Sequence, residues 1–308
     1  MPKRPEIVFP PPLSAQSTVR VVAASSPFDW ERCLSGIEVL QETGLNVRYD
    51  ESALRKSARY LAGEDAHRLE QLKQALSEND TEAIFFVRGG YGLTRLLPSL
   101  SRDDLLEKPK WLAGFSDVTA VSALAFRHGL GSIHGPLVTT LAKAGDREKK
   151  QLFHLLLTPQ AEWRGYKLLD DLQPITRPRN QDGFKGRLFA GNIALLASMC
   201  GSPYVPDFSG CILGLEEIGE APYRIDRMLH QLNQAGLFNG VRAVILGRFT
   251  NCNAPLDSDY DVWDVLRDIF TGLKLPVFRS DGFGHGGVNL ALPNGADVKI
   301  NDGALTVE

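Results

Sequence analysis

A glycine cluster follows one of the apolar runs of the chain. Residues 87–92 read VRGGYG and come directly after the run 83–87. Consecutive glycines let the backbone turn tightly and bring amide N–H groups close to a ligand. An ordinary strand-to-helix turn would use the same residues, and the spacing is not that of the dinucleotide-binding fingerprint.

A serine occupies a second position of this kind. The segment 113–120 reads AGFSDVTA and places Ser116 where an apolar run turns into a helical pattern. A serine there exposes its hydroxyl for attack on a carbonyl group, and the N–H of Asp117 can contribute to an oxyanion hole. The segment lacks the second glycine of the GxSxG motif, and the alternative is that Ser116 caps a helix beginning at Asp117.

A nucleophilic serine needs a general base, and two of the six histidines are candidates. His285 lies in GFGHGGVN (282–289), where three neighbouring glycines favour an exposed loop. His134 lies in SIHGPL (132–137), after a short apolar run, and competes for the same role. The neighbouring glycines favour His285 as the general base.

The base in turn needs a carboxylate that orients it, and the candidates are adjacent. Glu216 and Glu217 lie where the run CILGLE meets LEEIGE. Neighbouring residues of a strand face opposite sides, so only one of the two can point into a site. The alternation of side chains along the strand favours Glu216 as the residue that faces the site, but it does not exclude Glu217. The alternative is that both are solvated acids at the end of a strand.

Strands and helices that would position these residues alternate along the first half of the chain. This alternation predicts a parallel sheet covered on both faces. The predicted strands are 19–25, 46–49, 83–87 and 111–114, and the predicted helices are 30–43, 66–78 and one beginning within 93–100.

The amino-acid composition changes near the middle of the chain. Residues 158–190 are rich in proline and polar residues, so we predict an N-terminal domain at 1–165, a linker at 166–185 and a C-terminal domain at 186–308. The overall prediction is a two-domain α/β enzyme. The second half is predicted to contain helices at 192–199 and 222–232, strands at 211–216 and 243–246, and a hairpin within 296–306.

Composition narrows the function classes. The 308 residues are 43% hydrophobic and 23% charged, as in an ordinary globular protein, and 34 Lys and Arg against 37 Asp and Glu give a net charge of −3. That balance argues against nucleic acid or an anionic membrane as a partner. No run of 18 apolar residues occurs, the four cysteines form no CxxC pair, and no metal-ligand motif is present. We therefore expect a cytoplasmic protein without a metal or cofactor.

Taken together, these segments resemble the LD-carboxypeptidase family, the serine peptidases that include the muropeptide LD-carboxypeptidases and the microcin C self-immunity proteins. The resemblance covers most of the chain from residue 19 onward, in the family's order. Its pieces are RYLAG (59–63), FFVRGGYG (85–92), GFSDVTA (114–120), IHGPL (133–137), GNIALLASMCGSPYVPD (191–207), LEEIGEAPYRIDRML (215–229) and GHGGVNLALPNGA (284–296).

The resemblance implies a Ser-His-Glu triad and a fold. It makes Ser116 the nucleophile, His285 the general base and Glu216 the orienting carboxylate, although the acidic pair of the family is usually Glu-Asp and is Glu-Glu here. It implies a Rossmann-like, parallel-sheet N-terminal domain that carries the serine. A smaller mixed α/β C-terminal domain would carry the glutamate and the histidine, with the active site in the cleft between the domains.

The resemblance also implies a reaction. The expected substrate is a murein tetrapeptide, cut through an acyl-enzyme between the L-centre of a diamino acid, such as meso-diaminopimelate or lysine, and a terminal D-alanine. Backbone N–H groups of Asp117 and Gly90 would hold the oxyanion. An aminoacyl-nucleotide hydrolase of the microcin-immunity type is the alternative, and a homodimer is implied in either case.

Three further residues are candidates for binding this anionic peptide. Arg88 beside the glycine cluster and Arg224 in APYRIDR would hold carboxylates, and Tyr91 would line the pocket. Each has an ordinary alternative, since arginines at element ends commonly pair with nearby acids and an aromatic side chain commonly packs.

Overall fold

The computed structural model describes residues 5–176 and 183–308, so residues 177–182 of the predicted linker lie outside the described residues. Helices and strands alternate through the first half, as the sequence predicts. In chain order this half contains β1 (Thr18–Val22), α1 (Trp30–Glu42), β2 (Asn46–Arg48), α2 (Glu51–Leu54), α3 (Asp65–Ser77), β3 (Thr81–Phe86), α4 (Arg102–Leu106), β4 (Trp111–Ala113), α5 (Thr119–His128), β5 (Ser132–His134), α6 (Val138–Leu141) and α7 (Asp146–Leu157).

The second half has longer strands and fewer helices. In the ranges 5–176 and 183–308, no helix has the length and apolar character needed to cross a membrane. The second half contains β6 (Lys167–Leu169), β7 (Gln173–Pro174), β8 (Phe184–Asn192), α8 (Ile193–Ser198), β9 (Cys211–Ile218), α9 (Pro222–Gln234), β10 (Ala243–Thr250), α10 (Val262–Leu273), β11 (Val277–Arg279), β12 (Leu292–Asn294), β13 (Asp297–Asn301) and β14 (Ala304–Val307).

The first sheet has the order β12-β5-β4-β3-β1-β2. Its pairs from β5 to β2 are parallel, which confirms the Rossmann-like N-terminal domain. The edge strand β12 comes from the C-terminal part of the chain and pairs antiparallel to β5, with Leu292 opposite His134. This crossing was not predicted, because a three-residue strand that contains Pro293 carries little sequence signal and proline is tolerated at a sheet edge.

The second sheet is mixed, with the order β6-β14-β13-β8-β9-β10-β11-β7. Strands β8 to β11 run parallel, and the outer pairs are antiparallel, which confirms the mixed α/β C-terminal domain. The edge strands β6 and β7 fall inside the segment predicted as a linker, so the described part of 166–185 contributes to this sheet. The division into 1–165 and 186–308 stays a prediction.

Two local predictions have different outcomes. The hairpin predicted within 296–306 is confirmed by the antiparallel pair β13–β14. The helix predicted from 93–100 is wrong, because this stretch forms two short 3₁₀ turns, Leu93–Arg95 and Leu97–Ser99. Pro98 explains the break, since its ring nitrogen has no hydrogen to donate to a continuing helix.

Helix α5 anchors the serine segment in the interior. Residues 119–126 of this helix are buried all round, as expected for a helix enclosed by other elements. Its first residue, Thr119, accepts a hydrogen bond from the N–H of Asn192 at the end of β8, with an N–O distance of 3.0 Å. The turn that holds Ser116 therefore ends next to a contact between the two halves.

Candidate active site

Ser116 lies in a strained turn between β4 and α5. It opens the 3₁₀ turn Ser116–Val118, and its φ of 63° is a left-handed conformation that a non-glycine residue adopts at a cost of about 1–3 kcal/mol. A sharp strand-to-helix turn of this kind presents a nucleophile's hydroxyl. Within the described residues, neither the turn nor α5 has a side-chain cap, so the alternative in which Ser116 caps a helix does not describe the structure.

The glycine cluster packs directly against this serine. A Cβ atom built on Gly89 would lie 2.6 Å from Ser116 Oγ, so a larger residue cannot occupy this position without displacing the serine. Ser26 holds the turn from the other side: its N–H donates to the Gly89 carbonyl at 3.3 Å, and its Oγ accepts from the Tyr91 N–H at 3.1 Å. Gly90, with φ of 103°, supplies the left-handed step between them.

Asp117 connects the serine turn to the glycine cluster. Its carboxyl group is fully buried, burial raises its pKa, and Oδ2 accepts a hydrogen bond from the Leu93 N–H at 2.9 Å. Among the hydrogen bonds of residues 5–176 and 183–308, the backbone N–H groups of Gly90 and Asp117 have no acceptor. These two N–H groups are the predicted oxyanion-hole donors, and that role stays a prediction.

Glu216 and His285 form a close pair. Glu216 is fully buried at the end of β9, and its Oε2 lies 2.6 Å from His285 Nδ1, while 14% of the histidine side chain is exposed. A short, buried carboxylate–imidazole hydrogen bond fixes the orientation of the ring. The His285 carbonyl accepts from the Thr250 hydroxyl at 2.6 Å, which holds the loop from β10.

Glu217 faces the opposite side of β9. Its Oε2 accepts from the Ala194 N–H at 2.8 Å, at the start of α8, and its Oε1 accepts from Asn192 Nδ2 at 2.9 Å. Burial raises the pKa of the Glu217 carboxyl to about 7 despite these hydrogen bonds. Of the two adjacent acids, Glu216 contacts His285, and Glu217 accepts a hydrogen bond from a backbone N–H at the start of α8.

Phe115 brings the two halves of the site together. Its ring centroid lies 4.6 Å from that of His285 and 5.7 Å from that of His134. His134 is buried, and burial lowers its pKa to about 4, so the ring is neutral at neutral pH. Its Nε2 has no hydrogen-bond partner among the described residues. Of the two candidate histidines, His285 is the one that has a carboxylate partner, and its ring contacts Phe115, the residue before Ser116.

The three predicted binding residues have different surroundings. Arg88 and Tyr91 flank the glycine cluster and are exposed; Arg88 donates to the Pro27 carbonyl, and the Tyr91 ring lies 6.0 Å from that of Tyr60. Arg224 of α9 pairs with Glu220, which precedes that helix, with an N–O distance of 3.4 Å; this is the ordinary alternative considered for it. The substrate roles of all three stay predictions.

Several residues that shape the site carried no usable sequence signal. Ser26 lies in an unremarkable SSP sequence, and Thr250 lies at the end of a strand far from any motif; their roles depend on partners 65 and 35 residues away. No cluster of three His, Cys, Asp or Glu side chains able to hold a metal ion occurs in the described ranges.

Profiles of the LD-carboxypeptidase N-terminal and C-terminal domains match residues 19–135 and 185–300 of the chain. The chain belongs to the LD-carboxypeptidase family. The first profile contains the Ser116 turn and the glycine cluster, and the second contains Glu216 and His285. The family assignment therefore includes both sides of the site.

Individual members of the LD-carboxypeptidase family are similar over most of the chain. The murein tetrapeptide carboxypeptidase of Pseudomonas aeruginosa is 33% identical over 255 residues, 80% of this chain and 81% of that protein. The crystal structure of muramoyltetrapeptide carboxypeptidase from Oxalobacter formigenes has a TM-score of 0.77 and 27% identity over 94% of this chain and 97% of that one. The microcin C7 self-immunity protein MccF in complex with aspartyl sulfamoyl adenosine has a TM-score of 0.84, 23% identity and 98% coverage of both chains, which shows the shared fold.

Proposed function

We propose that this protein is an LD-carboxypeptidase that releases the terminal D-alanine of murein tetrapeptides, with Ser116, His285 and Glu216 as its catalytic triad. The observation that carries this proposal is the buried Glu216–His285 hydrogen bond of 2.6 Å, which lies beside the strained turn of Ser116. The similarity to carboxypeptidases that act on murein peptides supports the substrate class.

The proposed mechanism assigns one role to each residue of the triad. His285 takes the proton of Ser116 Oγ on Nε2, while its Nδ1–H donates to Glu216. The serine oxygen bonds to the carbonyl carbon, and the backbone N–H groups of Gly90 and Asp117 hold the resulting oxyanion, each such donor contributing about 10²–10³ in turnover. Collapse breaks the C–N bond, and His285 transfers its proton to the leaving D-alanine amine.

Deacylation repeats these steps with water as the nucleophile. His285 accepts a proton from the water, the same two N–H groups hold the second oxyanion, and the Ser116 oxygen leaves with the proton. The products are free D-alanine and the shortened peptide. Arg88 and Tyr91, at the rim of the glycine cluster, would contact the substrate carboxylates and side chain.

A cytoplasmic location, a role in murein recycling and a homodimer belong to this proposal and are supported by the family resemblance.

A second candidate function is hydrolysis of an aminoacyl nucleotide analogue. The microcin C7 self-immunity protein MccF of Escherichia coli is 26% identical over 94% of this chain and 92% of its own length, and one structure of MccF is in complex with aspartyl sulfamoyl adenosine. The higher identity to the murein tetrapeptide carboxypeptidase favours the first function.

The two functions are separated by one panel of substrates. The purified protein is incubated with a murein tetrapeptide, with the same peptide ending in L-alanine, and with aspartyl sulfamoyl adenosine, and products are followed by mass spectrometry. We expect release of D-alanine from the first substrate only. A Ser116→Ala preparation controls for contaminating peptidases. Cleavage of the adenosine compound alone would overturn the murein assignment in favour of the second function.

A further inference from the structure

A buried glutamate of the first half contacts the loop that carries His285. Glu148, in the first turn of α7, is 8% exposed. Its Oε2 accepts from the Gly145 N–H at 2.8 Å, an ordinary interaction at a helix start, where a negative charge is favourable. Its Oε1 accepts from the Asn289 N–H, also at 2.8 Å, across 141 residues of sequence. Capping the helix uses one oxygen, and the second oxygen binds the histidine loop.

Asn289 relays this contact toward the histidine. Its side chain is buried, and Oδ1 accepts from the Gly284 N–H at 3.0 Å, which closes the loop 284–289 on itself. Gly284 has φ of 110° and immediately precedes His285. The chain of contacts therefore runs from the Glu148 carboxylate, through Asn289, to the residue before His285.

A neighbouring residue of α7 provides a comparison. Gln151, one turn further along and also buried, donates to the Ala291 carbonyl at 2.8 Å. This hydrogen bond holds the same segment of chain, just before β12, and within residues 5–176 and 183–308 the Gln151 side chain makes no hydrogen bond to loop 284–289. Glu148 and Gln151 both join the halves, and Glu148 alone of the two connects to the loop of the histidine.

We infer that Glu148 is a positioning residue: from the half that carries Ser116, it sets the placement of His285 through Asn289. This inference rests on the proposed function for its kinetic consequence. Ser116 and His285 belong to different halves, so their alignment depends on contacts that cross between them. A misplacement of about 1 Å in such an alignment can lower the rate by about 10²-fold.

The test uses the full-length protein and compares Glu148→Ala, Glu148→Gln and Gln151→Ala. We expect Glu148→Ala to lower kcat for D-alanine release by about 10–100-fold with little change in KM. Glu148→Gln keeps one acceptor oxygen and should restore part of this loss. Gln151→Ala should lower the melting temperature to a similar extent while kcat stays close to that of the wild type.

A second readout does not depend on the substrate. His285 Nδ1 lies 2.6 Å from Glu216 Oε2, and the proton on Nδ1 is expected to give a low-field proton NMR signal. It should persist in Gln151→Ala and broaden or disappear in folded Glu148→Ala. If the wild type releases no D-alanine but the signal still depends on Glu148, the positioning role stands and the proposed function fails. An unchanged signal together with a kcat equal to that of Gln151→Ala would overturn the inference.

Discussion

Replacing Gly89 by alanine tests the close contact between the glycine cluster and Ser116. The φ of Gly89 is not positive, so alanine can adopt the backbone conformation and the effect is confined to the added methyl group. That methyl would lie 2.6 Å from both Cβ and Oγ of Ser116, whereas ordinary contacts begin near 3.4 Å. The serine must therefore move by about 0.8 Å, and such a displacement at a nucleophile is expected to lower kcat by about 10²-fold.

Activity and stability are measured together for this variant. Overpacking of the site should cost about 1–3 kcal/mol of unfolding free energy, which a protein of this size tolerates. Gly272→Ala is the matched control, because Gly272 lies in α10 and its Cβ would meet no atom within 4 Å. The control should keep full activity and gain about 0.5–1 kcal/mol of stability. A folded Gly89→Ala protein with kcat within about threefold of the wild type would refute the positioning of Ser116 by this contact.

Three further predictions concern the titratable groups. Glu216→Gln should lower kcat/KM by about 10⁴-fold and remove the low-field proton signal of His285, because the amide no longer fixes the tautomer of the ring. His134→Phe should keep activity within about tenfold, as expected for a histidine that is not the general base, in steady-state assays run beside His285→Ala. The raised pKa of Glu217 means that the native state keeps a proton that the unfolded state loses between pH 4.5 and about 7, so unfolding free energy falls as pH rises through this window. Urea titrations should show this slope in the wild type and not in Glu217→Gln.

Much of the fold could be predicted because its signals are local. The alternation of apolar runs with amphipathic helices predicted the parallel first sheet, and the hairpin near the C-terminus followed from its alternating pattern. The position of β12 in the first sheet could not be predicted, since it depends on a pairing between Leu292 and His134 across the whole second half. The 3₁₀ turns at 93–99 show how one residue, Pro98, overrides a helical spacing.

The site was predictable to the extent that its residues lie at strand ends. Ser116, His285 and the acidic pair are candidates because of their places in the sequence; the structure shows that Glu216 contacts His285, and their catalytic roles stay predictions. The residue pattern alone did not decide which of Glu216 and Glu217 is the partner of the histidine. The structure separates them because Asn192 and the start of α8 occupy Glu217. Contacts such as that of Glu148 have no sequence signature, because they join elements far apart in the chain.

The central claim is that Ser116 is the nucleophile of a D-alanine-releasing peptidase. The most direct test is the initial rate of D-alanine release from a murein tetrapeptide by the wild type and by Ser116→Ala, with both proteins shown to be folded by thermal denaturation. We predict that the substitution lowers this rate by about 10⁴-fold or more, as for other serine nucleophiles. A folded Ser116→Ala protein that keeps more than about one hundredth of the wild-type rate would contradict the account.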